Sequence, residues 1–147
     1  MKVQTEVVVT EVKRYVADDG KVFETEAHCK AYEKDLARAD LKAKFDLIEC
    51  CKGAEDLPPA DGGEYPEYND FHWYRPKTRE EADVLCDFYE IEYGIGDDEI
   101  GQWICIEECD GYSVYCYSLN SSIIHAKKLF GLLGYDVRIM KKEDNHV

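Results

Sequence analysis

The sequence has 147 residues, a formal net charge of −14 and a hydrophobic share of 45%. This length predicts one compact domain, or one domain with a small addition, which can bury its own core without disulfides or structural metal. There is no run of about 18 apolar residues, which argues against a membrane span, and the first residues lack the longer apolar stretch of a secretion signal. We therefore expect a cytoplasmic protein.

The negative charge is concentrated in the middle of the chain. Residues 1–45 contain nine acids and nine bases, residues 46–110 contain 20 acids and four bases, net −16, and residues 111–147 contain three acids and five bases, net +2. Such a charge distribution repels nucleic acid and anionic membranes and attracts basic proteins. Solubility alone is the alternative explanation of the same charge.

The first third of the chain predicts two strands followed by a helix. Valine and threonine are frequent over residues 3–16, with alternation typical of a strand. Asp19-Gly20 is a strong hairpin signal, and a return strand would begin at Lys21. Thr25 is placed to cap a helix over about residues 26–47. These elements form a ββα unit, which we place within residues 1–51.

Residues 52–70 interrupt the regular pattern with three prolines, three glycines and six acids. A loop of this length is unusual inside a compact domain and is often functional. Its tyrosines, Tyr65 and Tyr68, lie among acids and are candidate contact residues. Packing of the loop back onto the core is the alternative interpretation.

Residues 71–147 predict a β-α-β-β-α-β body, which is the ferredoxin-like or split β-α-β arrangement. Its first helix begins with a capping box, in which Thr78 caps and Glu81 is the third helical residue. The fold class is therefore predicted to be α+β. The predicted elements are a strand from Phe71 to Arg75, a helix from Thr78 to near Gly94, strands from Trp103 to Cys109 and from Tyr112 to Tyr117 around an Asp110-Gly111 turn, a helix capped by Ser118 or Asn120 and ended by Gly134, and a strand from Val137 to Met140.

The sequence contains no recognisable catalytic or metal-binding pattern. Cys105 and Cys109 have C-x-x-x-C spacing, but on one strand their Cα atoms would lie about 13 Å apart at about 3.3 Å per residue. That distance is too long for one zinc ion with Zn–S bonds of about 2.3 Å. There is no P-loop, G-x-S-x-G elbow or H-E-x-x-H. We predict no metal, no cofactor and no catalytic residue, while a Cys–His pair assembled in space stays open.

Seven cysteines are an odd number, which cannot pair completely within one chain. A two-residue Asp110-Gly111 turn would place Cys105 directly opposite Cys116, at about 5.5 Å between Cα atoms. Cytoplasmic thiols stay reduced. We therefore predict seven free thiols.

One segment, residues 15–33, resembles a pattern found in small bacteriophage-encoded proteins, D-G-x-x-F-x-T/S-x-x-x-C-x-x-Y-E. Those proteins are mostly uncharacterised, so the resemblance implies an origin rather than an activity and carries over no functional residue. The matching residues are Asp19, Gly20, Phe23, Thr25, Cys29, Tyr32 and Glu33.

These observations favour a non-enzymatic inhibitor of phage type, which binds a host nucleic-acid-binding protein through carboxylates that replace phosphates. CRISPR effectors have basic channels of this kind, so an anti-CRISPR role is the specific hypothesis. We expect no direct contact with nucleic acid or membrane, and leave homo-oligomerisation open. A small enzyme or ligand-binding protein, or a structural phage accessory protein, are the alternatives. The candidate partner-binding residues are Glu64, Tyr65, Glu67, Tyr68, Asp70, Asp97, Asp98 and Glu99.

Overall fold

The computed structural model describes residues 1–55, 57–60, 69–109 and 113–143. In these residues the chain has two antiparallel sheets and three α-helices, which confirms the α+β class. The chain divides into two compact units, Met1–Lys42 and Ala43–Val147.

The first unit contains the predicted hairpin, formed by β1 (Tyr15–Val16) and β2 (Val22–Phe23). The loop has three residues rather than two, because the Ala17 amide donates to the Lys21 carbonyl at 2.9 Å. Gly20 ends this loop with φ of +89°, the left-handed conformation that this type of hairpin requires of its last loop residue.

The strand predicted over residues 3–16 forms only at β1. Residues 1–14 have no strand, and their valines are more than two-thirds exposed. Alternation predicts which side chains share a face, but a strand also needs a partner for its backbone groups. The described residues provide none for this segment.

The helix α1 (Glu26–Phe45) begins where the sequence predicts. The Thr25 hydroxyl accepts from the backbone amide three residues later, at 3.3 Å. Tyr32 packs its ring 5.1 Å from that of Phe23 and donates its hydroxyl to Asp19 at 2.8 Å. Several residues of the segment 15–33 therefore join the turn, the return strand and the helix.

The second unit is built on a four-stranded sheet with the strand order β3-β4-β5-β6, in which all neighbours are antiparallel. The sequence did not predict β3, which is only two residues long. The elements are β3 (Glu49–Cys50), β4 (Asn69–Arg75), α2 (Arg79–Tyr89), a 3₁₀ helix (Asp97–Glu99), β5 (Ile104–Cys109), β6 (Ser113–Ser118) and α3 (Leu119–Leu132).

The ferredoxin-like arrangement is not confirmed. It requires a strand between the two strands that the first helix joins, whereas β4 and β5, joined by α2, are direct neighbours. The strand predicted from Val137 to Met140 is wrong, since residues 137–140 have no strand. The order of strands depends on which side chains share a core, and periodicity along one segment does not encode it.

The helix α2 covers one face of this sheet. Leu85 is fully buried there, as are Ile104 and Ile106 of β5. The Phe88 ring stacks on Phe45 at 3.8 Å between centroids. This aromatic and aliphatic layer is the core of the second unit.

The start of α2 confirms the predicted cap. The Thr78 hydroxyl accepts from the Glu81 amide at 3.2 Å. The Glu81 carboxylate accepts from the Lys77 amide at 2.6 Å, one residue earlier than in a standard capping box. The helix ends at Tyr89, before the predicted end near Gly94, because Glu90 adopts a left-handed conformation with φ of 55°.

Both ends of α3 follow the sequence signals. Of the two predicted caps, Ser118 is the one used, and its hydroxyl accepts from the Ser121 amide at 3.1 Å. At the other end Gly134 has φ of +89°, and the Tyr135 amide donates to the Phe130 carbonyl at 2.9 Å. This is the Schellman arrangement that satisfies the last carbonyls of a helix.

The predicted cysteine pair on β5 and β6 is wrong by one residue of register. Cys105 lies opposite Tyr117, and Cys116 lies opposite Ile106. Cys109 pairs with Ser113, so three residues, 110–112, connect the strands; the predicted Asp110-Gly111 turn falls outside the described residues. A one-residue shift reverses the face of a side chain. Cys105 and Cys116 therefore lie on opposite faces, and the seven cysteines form no disulfide with one another.

Candidate functional site

Of the eight predicted contact residues, four lie in the described part of the chain. Asp70 is exposed on β4, directly opposite Glu108 of β5. Asp97, Asp98 and Glu99 form the 3₁₀ helix that follows α2, and only Glu99 is partly buried. The other four lie outside the described residues: Glu64, Tyr65, Glu67 and Tyr68.

Arg79 joins the 3₁₀ helix to the first turn of α2. Its guanidinium donates to the Ile95 carbonyl at 2.7 Å and pairs with Asp97, and it lies 3.6 Å from Asp83. The hydrogen bond to Asp97 raises the pKa of Arg79. This one cation therefore holds two acidic segments together that are separated along the chain.

The exposed face of α2 carries a row of carboxylates that sequence reasoning did not single out. Glu80, Asp83 and Asp87 are separated by three or four residues, which places them on one side of the helix, and Glu90 directly follows its last residue. All four are exposed. We call these four residues together with Asp97, Asp98 and Glu99 the acidic surface. Within residues 79–99 the chain has nine acids and one base, Arg79.

The row of carboxylates ends at a groove. Its volume is about 510 Å³, and residues 90–94, Glu99 and residues 113–117 line it. A second cavity of about 400 Å³ shares Glu90, Ser113 and Val114 with it and adds Glu108 to the lining. The groove therefore combines carboxylates with tyrosine rings, a composition that suits a cation.

A second group of polar side chains lies on the face of the four-stranded sheet that α2 covers. His72 Nε2 is 3.0 Å from a carboxylate oxygen of Glu108, and the hydroxyls of Tyr74 and Tyr89 are 2.7 Å apart. Burial raises the pKa of both tyrosines, so they stay protonated at neutral pH. The adjoining cavity, which Cys50 and His72 help to line, has a volume of only about 100 Å³. A carboxylate-oriented histidine can act as a base, but little space for a substrate adjoins it.

One carboxylate is buried on the opposite face of the sheet. Glu107 is 2% exposed and accepts from the Asn69 side-chain amide at 2.6 Å. Burial, followed by its hydrogen bond with Glu107, raises the pKa of Tyr117. These partners satisfy the buried oxygens, which is the condition for keeping a polar group inside a fold. We assign this cluster a structural role.

Among the described residues, no group of three or more His, Cys, Asp or Glu side chains could hold a metal ion. In the same part of the chain, no helix has the length and apolar composition needed to cross a membrane.

We expect the cysteines to differ strongly in reactivity. Cys50 and Cys51 are exposed, whereas Cys105 is fully buried and burial raises the pKa of Cys116 to about 12. Because the thiolate is the reactive form, iodoacetamide at pH 8 should label Cys50 and Cys51 first. Peptide mapping by mass spectrometry measures this order. Labelling of Cys116 as fast as Cys50 would contradict it, and denatured protein should show seven reactive thiols.

Comparison with known proteins gives no match: no family model, curated protein or solved structure is similar to this chain.

Proposed function

We propose that this protein is a non-enzymatic inhibitor of phage type, which acts in the host cytoplasm. It binds a host nucleic-acid-binding protein through the acidic surface and thereby keeps nucleic acid from that partner. The specific candidate partner is a CRISPR effector, whose channel for the RNA–DNA heteroduplex is positively charged.

The carboxylate row on α2 is the observation that supports this proposal. Glu80, Asp83 and Asp87 share one face of α2, Glu90 follows at its end, and Arg79 joins Asp97 of the 3₁₀ helix to the first turn of α2. A solvated helix usually mixes both signs of charge, but residues 80–99 contain no base. Carboxylates held on a rigid element are a repeated array of negative charge, which a phosphate-binding channel attracts.

The proposal predicts competition that depends on charge. With a purified CRISPR effector–guide RNA complex, the protein should reduce binding of target DNA in a mobility-shift assay. Its apparent affinity for the complex should fall at least about tenfold between about 50 and about 300 mM salt, because salt screens exposed charges. The double variant Glu80→Lys/Asp87→Lys should weaken binding by at least a further tenfold.

A matched variant controls for net charge. Glu6→Lys/Asp35→Lys changes the net charge equally at two exposed positions that do not belong to the acidic surface. It should bind within about twofold of the unaltered protein at each salt concentration. The proposal would be contradicted if the affinity for the complex changed neither with salt nor with Glu80→Lys/Asp87→Lys. It would also be contradicted if both double variants lost affinity equally.

A small enzyme or ligand-binding protein is the second candidate, which the His72–Glu108 pair favours. The carboxylate orients the imidazole, as in many general bases. The small adjoining cavity makes this function the weaker of the two. If His72→Gln abolished inhibition of the effector while the salt dependence stayed unchanged, the enzyme or ligand-binding function would become the better supported of the two.

A further inference from the structure

The groove beside the acidic surface runs along the open edge of the sheet. Five consecutive residues of β6, Ser113 to Tyr117, line it. Successive side chains of a strand point to opposite faces, so a groove that touches all five must follow the edge of the strand. In the described part of the chain β6 pairs only with β5. Its outer backbone amides and carbonyls thus face the groove without a partner strand.

An open edge of this kind accepts an extended peptide as an additional strand. The edge of β6 is six residues long, which is a typical strand length. Main-chain hydrogen bonds would provide affinity for any extended segment. The side chains that surround the edge must therefore decide which segment binds.

The surroundings of this edge are anionic on one face. Glu99 and Cys116 line the groove together, and burial, followed by the charge of Glu99, raises the pKa of Cys116. Glu108 lies opposite Val114 and shares the face of Cys116. Glu90, at the end of the carboxylate row, lines both cavities.

The groove also offers aromatic surface. Tyr93 is 96% exposed and Tyr115 is half exposed, and both line it. Tyrosine rings attract the ammonium of lysine and the guanidinium of arginine. The carboxylates and the Tyr93 ring thus favour the same kind of ligand, whereas Tyr115 lies on the other face of β6 from Val114 and Cys116.

We propose that this groove binds an extended cationic segment, with lysine or arginine at every second position, as a fifth strand on β6. Alternate side chains of an added strand share a face, so one set would meet Glu90 and Glu99, which line the groove. The inference rests on the proposed function in one respect, namely that the partner is basic.

Three acetylated octapeptides test this binding mode in fluorescence anisotropy with the full chain. In the first, lysine alternates with valine or threonine. The second has the same composition with the lysines in one block, and the third is the alternating peptide with N-methyl groups on every second amide. We expect the first to bind at least about tenfold more tightly than either other peptide, because only it combines backbone pairing with charges on one face. Equal binding by all three would overturn the proposal.

Variants of the groove complete the test. Glu90→Gln/Glu99→Gln should weaken binding of the alternating peptide at least about fivefold. Glu80→Gln/Asp87→Gln removes the same charge from the acidic surface outside the groove and should change it less than about twofold. Equal loss in both variants would indicate general attraction rather than a site. Peptide binding that declines as the protein self-associates would identify a second copy as the occupant and overturn the proposal.

The two proposals can fail separately. Loss of peptide binding in the groove variant, with effector binding independent of Glu80 and Asp87, would refute only the proposed inhibitor function. Effector binding that depends on those two residues, with no preference among the peptides, would refute only strand addition.

Discussion

Replacement of Leu85 by alanine is expected to lower the free energy of unfolding by about 2–5 kcal/mol. Leu85 is fully buried between α2 and the sheet, beside the aromatic layer of Phe45 and Phe88. The loss has two causes, namely the hydrophobic transfer of the missing atoms and the cavity that rigid neighbours leave behind. Urea denaturation monitored by tryptophan fluorescence measures it.

The matched control is Leu132→Ala. Leu132 is 80% exposed on α3, so the same chemical change should alter the free energy of unfolding by less than about 0.5 kcal/mol. If the two variants were equally stable, α2 would not cover the sheet as described. A Leu85→Met variant, which conserves volume, should lose less than about 1.5 kcal/mol.

Alkaline pH is expected to destabilise the protein from about pH 9, the ordinary pKa of a cysteine thiol. Burial raises the pKa of Cys116 from 9.0 to about 12. Between these values the unfolded chain has lost this proton and the folded protein still holds it. The free energy of unfolding therefore falls as pH rises, by up to about 1.4 kcal/mol per pH unit. This contribution is fully present below about pH 9 and is lost through pH 12. From about pH 10, the ordinary tyrosine value, the raised pKa values of Tyr89 and Tyr117 add to the same fall.

Urea denaturation at several pH values between about 8 and about 11 measures the slope. Cys116→Ala should make the fall in stability shallower, because the variant lacks the thiol whose pKa burial shifts. Cys50→Ala removes an exposed thiol instead and should leave the slope unchanged. A stability that stays constant up to pH 11, or an identical slope in both variants, would show that Cys116 is not buried as described.

Part of the candidate site was predictable from sequence. The run Asp97 to Glu99 is visible as consecutive acids, and the structure places it beside α2 through Arg79. The carboxylate row was not singled out, since acids on a helix surface also occur for solubility alone. The groove could not be predicted, because it depends on how the segment after α2 lies against the edge of β6.

The sequence by itself determined the local features. The helix starts at Thr78 and Ser118 and the helix end at Gly134 depend on hydrogen bonds between groups a few residues apart. The left-handed Gly20 likewise follows from its own missing side chain. Signals of this kind are complete within one short segment, which is why they could be read without knowledge of the fold.

Only the tertiary structure decided the order and register of the strands. β4 lies beside β5, residues 137–140 add no strand, and Cys105 faces Tyr117 rather than Cys116. Even β3, two residues long, pairs with a strand about 25 residues away, and its Glu49 carboxylate lies 2.6 Å from the guanidinium of Arg75 on that strand. Each outcome depends on contacts between residues distant in sequence. Their energies come from shared burial and backbone pairing, which the pattern within one segment does not contain.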